Sequence, residues 1–420
     1  MNLFNKNFFL LWQSQLISQL GNQAHAIAIA FWVKHRTGSA TMMGMVLMAA
    51  NLPGLILQPL GGVLADRYSR KNILIGCDLF CGIALSILVL LLYFTPDNST
   101  LVTPALFATA FIVGGLQALY RPSVMASVPS LVPETKLTGA NSLMESTIEI
   151  SNLIGSGIGG VLFRVLGAPL LFLFDGLSYF LSAFSLCFMD LPHTPPVKDV
   201  TSVKTNFFSD FFKDAAVGFR FVWKNSGMRT FFILMAFDNF FITPCIVLLP
   251  FYVEDYLKLP PDWYGFLMAA VGVGGLLGYL AVGIFQIPPR IRPYLLIGLN
   301  IFYALLVVSF GVLENRYVAL ILIGIVGFIL SFTNVNFITL VQLHTPEDLR
   351  GRVMGVAGMI SGLITPLAMG IAGIVADFVN QNIPLIYQCS GGFLAILSIT
   401  MAFNKRFREF LATDEGALNA

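Results

Sequence analysis

Apolar stretches about twenty residues long recur along the whole chain and are separated by short polar connections. A helix needs about 20 mostly apolar residues to cross the hydrocarbon core of a bilayer. Twelve stretches have this length, at 8–33, 41–65, 72–94, 102–121, 140–163, 169–190, 228–252, 264–286, 293–313, 317–342, 353–376 and 384–403. The pattern therefore predicts an all-α integral membrane protein with twelve transmembrane helices.

The first six stretches resemble the last six. Residues 31–33 and 47–50 read Phe-Trp-Val and Leu-Met-Ala-Ala, and residues 251–253 and 267–270 read Phe-Tyr-Val and Leu-Met-Ala-Ala, an offset of 220 positions in both cases. This repeat predicts two pseudo-symmetric six-helix halves. In transporters built from such repeats, the substrate binds near the membrane midplane where the repeats meet.

The long connection in the middle of the chain separates the two halves. We expect an N-terminal half at 1–190, a linker at 191–227, a C-terminal half at 228–404 and a cytoplasmic tail at 405–420. Over 206–224 the linker carries phenylalanines at three- and four-residue spacing, with charged residues on the other face. That pattern is typical of a helix that lies in the cytoplasmic membrane interface. A helix that docks a partner protein is the alternative.

Composition indicates that lipid is the solvent of this chain. Hydrophobic residues make up 56% of it and charged residues 11%, whereas a soluble domain carries roughly 25% charged residues. We expect no nucleic-acid partner, because no basic stripe with interleaved aromatic residues is present. The sequence holds neither an ATP-binding Gly-x-x-x-x-Gly-Lys-Ser/Thr motif nor a clustered His/Asp or Ser/His set, so we expect no enzyme. Five cysteines in apolar segments lack further ligands nearby, so we expect no metal site.

Lysine and arginine are distributed unevenly among the connections. With the N-terminus in the cytoplasm, 19 of them fall on the cytoplasmic side and 5 on the outer side. This bias follows the positive-inside rule, and an even number of spans returns the C-terminus to the cytoplasm. The first stretch is too long and too polar for a cleaved signal peptide. We therefore expect a multi-pass protein of the cell (inner) membrane with both termini cytoplasmic.

The connection between the second and third spans concentrates charge in an otherwise apolar region. It carries Gly62, Asp66, Arg67, Arg70 and Lys71. The glycine pair at 61–62 would let helices approach closely, and the acid could meet a helix N-terminus or an arginine. The spacing resembles the loop motif of the major facilitator superfamily, which implies a latch that closes the cytoplasmic side. Positive-inside topology alone is the alternative explanation.

Further motifs resemble the branch of this superfamily that contains macrolide-efflux and enterobactin-exporter proteins. They are Leu11-Trp12-x-x-Gln15, the segments 36–40, 75–79 and 131–134, and Pro346-Glu347-x-Leu349-x-Gly351-Arg352. The resemblance implies export of an amphipathic small molecule in exchange for protons, with the proton gradient and no cofactor as the energy source. A siderophore exporter and a lipid or lysolipid flippase remain alternatives. We expect a monomer that contacts membrane lipids.

Two features of proton-coupled relatives are missing. Drug antiporters often carry a Gly-Pro pair in the fifth span, where this chain keeps glycines over 155–160 but has no proline. Proton-coupled relatives often have an arginine in the middle of the fourth span, where this chain has Gln117 and places Arg121 at the end. The proton mechanism of those relatives therefore cannot be transferred residue by residue.

Three acidic residues inside the spans are candidates for proton coupling. Glu145 and Glu149 are four residues apart on one face of the fifth span, and Asp238 lies near the middle of the seventh. Carboxyl groups inside a membrane are costly when charged and usually mark ion or substrate paths, although a neutral, hydrogen-bonded acid is the alternative. For His25 we favour a hydrogen-bonded interior residue over a proton relay. Asp175 has no partner that the sequence identifies.

Amide side chains inside the spans are candidates for the lining of a substrate cavity. Several of them share one face of the first span, and hydrogen bonds between helices would explain the remainder equally well. The candidates are Gln15, Gln19, Asn22, Asn51, Asn239, Asn300, Asn334 and Asn336.

Overall fold

The computed structural model describes residues 4–95, 98–191, 207–285 and 287–412. Every regular element in these residues is a helix, which confirms the predicted all-α fold. The helices are α1 (Lys6–Thr37), α2 (Ala40–Arg67), α3 (Arg70–Phe94), α4 (Ser99–Leu131), α5 (Leu137–Cys187), α6 (Phe207–Lys224), α7 (Ser226–Val247), α8 (Leu249–Phe251), α9 (Asp262–Ile284), α10 (Arg292–Phe310), α11 (Arg316–Leu343), α12 (Arg350–Phe378), α13 (Ile383–Ala402) and α14 (Lys405–Leu411). Part of the predicted linker, 192–206, and part of the predicted tail, 413–420, lie outside the described residues.

Twelve segments of the described chain are long enough to cross a membrane. Ten helices combine the length and the hydropathy that a span requires. One of them, α5, holds two spans because its path breaks at Gly167. The twelfth is α1, which is 32 residues long and carries polar residues along its whole length. The count agrees with the sequence prediction.

The break inside α5 has a local cause. Gly167 has φ 74° and ψ 170°, a conformation that residues with a side chain rarely adopt. Pro169 follows two residues later, and because it lacks a backbone N–H it suits the first turn of a new helix. We call the span before the break α5N (137–166) and the span after it α5C (168–187).

Short polar side chains begin most of the other spans. Each accepts a hydrogen bond from a backbone N–H in the first turn, which satisfies a donor that the helix itself leaves free. They are Asn5, Ser39, Ser69, Asn98, Asn225, Asn315, Asn382 and Asn404.

Internal contacts divide the chain into two compact units. The first contains residues 1–202 and 259–269, so it holds α1 to α5 together with the first turns of α9. The second contains residues 203–258 and 270–420, which include α6 to α8, the remainder of α9 and α10 to α14. The division therefore falls within α9 and not only at the linker.

Glycines bring one pair of helices close together in each unit. In the first unit, a Cβ on Gly114 of α4 would overlap the Ala50 carbonyl of α2, and one on Gly61 of α2 would lie 3.0 Å from the Leu119 Cα of α4. In the second unit, a Cβ on Gly274 of α9 would overlap the carbonyl of Gly324 on α11. Close backbone approach of this kind favours helix association in lipid, and both halves use it.

Within the second unit, helix α6 packs against α12. The Arg352 Nε of α12 lies 2.8 Å from the Asp214 Oδ1 of α6, and a Cβ on Gly218 would lie 2.6 Å from the Arg352 carbonyl oxygen. Phe219 and Trp223 stack with ring centroids 5.3 Å apart, and each is 51% exposed. One face of α6 therefore packs on α12, while the rings of Phe219 and Trp223 are exposed.

Candidate functional site

Two cations at the start of α3, Arg70 and Lys71, bind backbone carbonyls of other helices. Arg70 donates from Nε to the Ala65 carbonyl of α2 at 3.1 Å and from Nη1 to the Ala126 carbonyl of α4 at 2.6 Å. Lys71 Nζ donates to the Cys187 carbonyl of α5C at 2.7 Å. Carbonyls at helix C-termini carry partial negative charge and attract cations. The motif thus ties the first turn of α3 to α2, α4 and α5C of the first unit.

Gly62 and Arg67 of this motif make no comparable contact within the described residues. A Cβ on Gly62 would meet no atom within 4 Å, so the expected close approach holds for Gly61 and is wrong for Gly62. Arg67 is exposed. The side chain of Asp66 lies outside the described part of the structure. A latching role for Asp66 stays a prediction.

The second unit repeats the arginine contact although its sequence lacks the acid. Arg292 Nη2 donates to the Ile287 carbonyl at 3.3 Å, five residues earlier in the chain. Arg70 spans the same five-residue step to Ala65. Sequence reasoning missed this repeat because it looked for the acid. The available signal was an arginine a few residues after the end of the preceding apolar stretch, Arg70 in one half and Arg292 in the other.

The three predicted proton carriers differ in environment. Glu145 and Glu149 are exposed on α5N, and neither forms an ion pair or side-chain hydrogen bond with another residue of the described chain. Asp238 is half-buried on α7 and interacts electrostatically with Tyr303 of α10. The Tyr303 hydroxyl is buried and has no hydrogen-bond partner among the described residues. The structure does not bring Asp238 together with the two glutamates within one unit.

Two of the predicted cavity amides bind neighbouring helices. Gln15 donates to the Tyr120 hydroxyl at 2.9 Å, and Asn22 accepts from the Tyr179 hydroxyl at 2.5 Å. The same hydroxyl of Tyr179 accepts from Gln117 at 3.1 Å. These bonds join α1, α4 and α5C inside the first unit, so they account for both amides without a substrate.

Three of the remaining amides bind the backbone of their own helix. They donate to the carbonyl four residues earlier on the same helix, namely Asn51 to Leu47, Asn239 to Met235 and Asn336 to Phe332, at 2.8–2.9 Å. Gln19 and Asn300 are half-buried and Asn334 is exposed. Their role as cavity lining stays a prediction.

The structure reveals a buried polar layer between α1, α3 and α5C that sequence reasoning did not assemble. His25 Nδ1 of α1 lies 3.2 Å from Asp175 Oδ2 of α5C. Ser182 of α5C donates to Asp78 Oδ2 of α3 at 2.6 Å. Both aspartates are 0% exposed. The available signal was the three- and four-residue spacing of polar residues in the sixth span at 175, 178, 182 and 185, facing an equally polar first span.

The first turns of α9 are bound tightly to α5N. Arg164 Nη1 lies 2.6 Å from Asp262 Oδ2. A Cβ on Gly265 would lie 2.5 Å from the Ser156 carbonyl oxygen and 3.0 Å from that of Gly157. The backbone of the first turns of α9 therefore packs directly against the backbone of the glycine-rich segment of α5N. We call this set of contacts the α5–α9 contact.

Within the ranges that the structure describes, no group of three or more His, Cys, Asp and Glu side chains is placed to hold a metal ion.

Comparison with known families decides the class of protein. The model of the Major Facilitator Superfamily matches residues 11–369. The chain belongs to the major facilitator superfamily. It is a multi-pass membrane transporter of small molecules and not an enzyme, as the sequence predicts.

Individual relatives agree with the predicted branch of the superfamily. Macrolide efflux protein A of Streptococcus pyogenes is 26% identical over 385 residues, covering 91% of this chain and 92% of the relative. Multidrug efflux pump Tap of Mycolicibacterium fortuitum is 26% identical over 411 residues, covering 94% of each chain. The resemblance to the drug-efflux branch is thus confirmed.

Solved structures share the fold. The nucleoside transporter NupG matches with a TM-score of 0.69 at 14% identity, over 96% of this chain and 100% of NupG. A bacterial homologue of the iron transporter ferroportin, in its inward-facing state, matches with a TM-score of 0.69 at 16% identity, over 94% and 98% of the two chains. At this level of identity the likeness shows the architecture alone.

Proposed function

We propose that this transporter exports an amphipathic, drug-like small molecule across the cell membrane by alternating access, driven by proton entry. The observation that carries the proposal is the likeness, over more than nine-tenths of both chains, to proteins named for macrolide and multidrug efflux. The positive-inside bias supports cytoplasmic termini. We also propose that the transporter works as a monomer surrounded by lipid.

Proton entry supplies the energy in this proposal. A membrane potential of 100 mV provides about 2.3 kcal/mol for each charge that crosses. The residues proposed to carry protons are Glu145, Glu149 and Asp238, because they are acidic side chains inside spans of the two halves and are partly or fully exposed. We also propose that the loop after α2 latches the cytoplasmic side, because Arg70 and Lys71 join the start of α3 to α2, α4 and α5C.

Transport by the purified protein in vesicles tests the proposal. The vesicles have an acidic lumen, and transporter molecules whose cytoplasmic loops face the lumen are inactivated by selective labelling. A macrolide, a catecholate siderophore or a fluorescent lysolipid is then added outside. We expect gradient-dependent uptake of the macrolide, abolished by a protonophore. Uptake of the siderophore alone, or lysolipid movement without a gradient, would replace the proposal with the corresponding alternative. Equal macrolide uptake with and without the gradient would refute proton coupling.

A further inference from the structure

The buried layer of the first unit contains one pair of groups that can exchange a proton. His25 Nδ1 and Asp175 Oδ2 lie 3.2 Å apart, and the two side chains are 11% and 0% exposed. Neither atom has a hydrogen bond of good geometry within the described residues. Buried polar atoms in this state call for an explanation, and a catalytic or ion-binding role is one of those known.

The local packing makes room for this pair. A Cβ on Gly21 of α1 would lie 2.5 Å from Asp175 Oδ1 and would overlap the Ser178 hydroxyl. Ser178 donates to Asp175 Oδ1 at 3.4 Å. The imidazole of His25 lies edge to face against Phe172, with ring centroids 5.2 Å apart. The carboxyl group is thus fixed on one side by Ser178 and faces the imidazole on the other.

The neighbouring titratable groups leave His25 as the cation of this site. Asp175 interacts electrostatically with Asp78 and Cys81 of α3 and with Tyr179 of α5C. These neighbours are an acid, a thiol and a phenol, and none can carry positive charge. Among the described residues, the group whose positive charge acts on Asp175 is His25.

The net charge of the pair depends on a single proton. With one proton shared between imidazole and carboxyl the pair is neutral, and without it the pair has one negative charge. A net charge within a membrane span is costly, so release of the proton requires water or a positive charge to reach the pair. A carboxylate beside a histidine also fixes which ring nitrogen carries the proton. These are the requirements for a site that binds and releases a proton in step with a conformational change.

We propose that His25 and Asp175 form a proton-binding site of this transporter, in addition to the acids of the fifth and seventh spans. In the loaded state the His25 imidazole carries the proton and faces the Asp175 carboxylate. In the unloaded state a ring nitrogen has returned the proton to water, and no bond between heavier atoms changes. The exposed fraction of the pair belongs to His25, so the proton enters and leaves through the imidazole. The transport role rests on the proposed proton coupling.

Nuclear magnetic resonance of the full chain in lipid nanodiscs tests proton binding directly. With ¹⁵N-histidine labelling, the His25 signals are those missing from His25→Gln among the four histidines of the chain. In spectra recorded from about pH 4 to 9, we expect the His25 nitrogen signals of the unmodified protein to change, because the proposed site gains and loses a proton on the imidazole. Asp175→Asn should move the midpoint by more than one pH unit. His25 shifts that stay constant over this range would overturn the proposal.

Transport measurements test the role of the pair in coupling. We expect His25→Gln and Asp175→Asn to lower gradient-driven uptake at least tenfold while substrate exchange without a gradient continues. Asp78→Asn is the matched control, because it removes the other fully buried carboxyl and can keep the Ser182 hydrogen bond. Full gradient-driven uptake in both variants of the pair, or an equal loss in Asp78→Asn, would overturn the proposal.

The same measurements separate the two proposals. If uptake by the unmodified protein ignores the gradient, proton coupling itself fails and the coupling role of the pair fails with it. If the unmodified protein responds to the gradient and the variants respond equally, only the assignment to His25 and Asp175 fails. Loss of exchange as well as uptake in Asp175→Asn would show a structural role and would also overturn the assignment.

Discussion

The α5–α9 contact allows a stability prediction with a defined sign. In Gly265→Ala, the new methyl group would lie 2.5 Å from the Ser156 carbonyl oxygen and 3.0 Å from that of Gly157. Both are backbone atoms, so no side chain can rotate away. Relief to an ordinary van der Waals distance requires α9 to move by nearly an ångström. That movement also stretches the 2.6 Å ion pair between Arg164 and Asp262.

Two opposing effects determine how much Gly265→Ala changes the free energy of unfolding. Overpacking of a well-packed site typically costs about 1–3 kcal/mol, whereas alanine is favoured over glycine in a helix by about 1 kcal/mol. We therefore expect Gly265→Ala to destabilise the protein by up to about 2 kcal/mol. The matched control is Gly76→Ala on α3, where the new methyl group meets no atom within 4 Å. Only the higher helix propensity of alanine acts there, so this variant should be stabilised by up to about 1 kcal/mol.

Thermal unfolding in detergent or nanodiscs, followed by intrinsic fluorescence, compares the two variants. For a chain of this length the average entropy of unfolding converts 1 kcal/mol to about 1 °C in Tm. The expected shifts have opposite signs, negative for Gly265→Ala and positive for Gly76→Ala. If both variants melt above the unmodified protein, the backbone of α9 does not contact α5N as closely as described, and the reasoning is refuted.

Three further predictions concern function. Asp66→Asn should reduce vesicle transport at unchanged protein level, because Asp66 is the acid of the loop motif; an unchanged transport rate would remove the latch. Glu149→Gln should reduce gradient-driven transport more than Glu145→Gln, since it lies one turn deeper in the fifth span, and assays of both at equal expression check this ordering. Pumping and proton exchange at the rate of the unmodified protein in both glutamine variants would assign both acids a structural role. A peptide of residues 206–224 should become helical on anionic vesicles, because its phenylalanine face and basic edge favour the interface; circular dichroism without any change on lipid addition would contradict it.

Much of the fold could be predicted because membrane solvation imposes a simple rule. Each span must be apolar over about 20 residues, so counting such stretches gave twelve. Even α1 was recognisable, although its amides lower its hydropathy, because it lies between a basic start and the polar connection at Gly38. The break at Gly167 falls between the predicted spans 140–163 and 169–190, because those bounds follow the apolar stretches on either side of it.

The polar contacts could not be predicted in the same way. His25 and Asp175 are 150 positions apart, and their pairing depends on how α1 and α5C rotate about their axes. Neither hydropathy nor spacing fixes that rotation to within one residue. The same uncertainty explains why Gly61 and Gly62 were treated alike, although only Gly61 faces α4.

The division of α9 between the two compact units has a consequence for biosynthesis. The first unit is complete only with residues 259–269, which leave the ribosome well after residue 202. At about 5–20 residues per second, the nascent first unit waits several seconds with the glycine-rich surface of α5N uncovered. During this interval the surface is available to lipid, to a membrane insertase or to quality-control proteases. A chain truncated after residue 202 would remain in this state permanently, so separately expressed halves should assemble better when the first half carries residues 259–269 than when it ends before them.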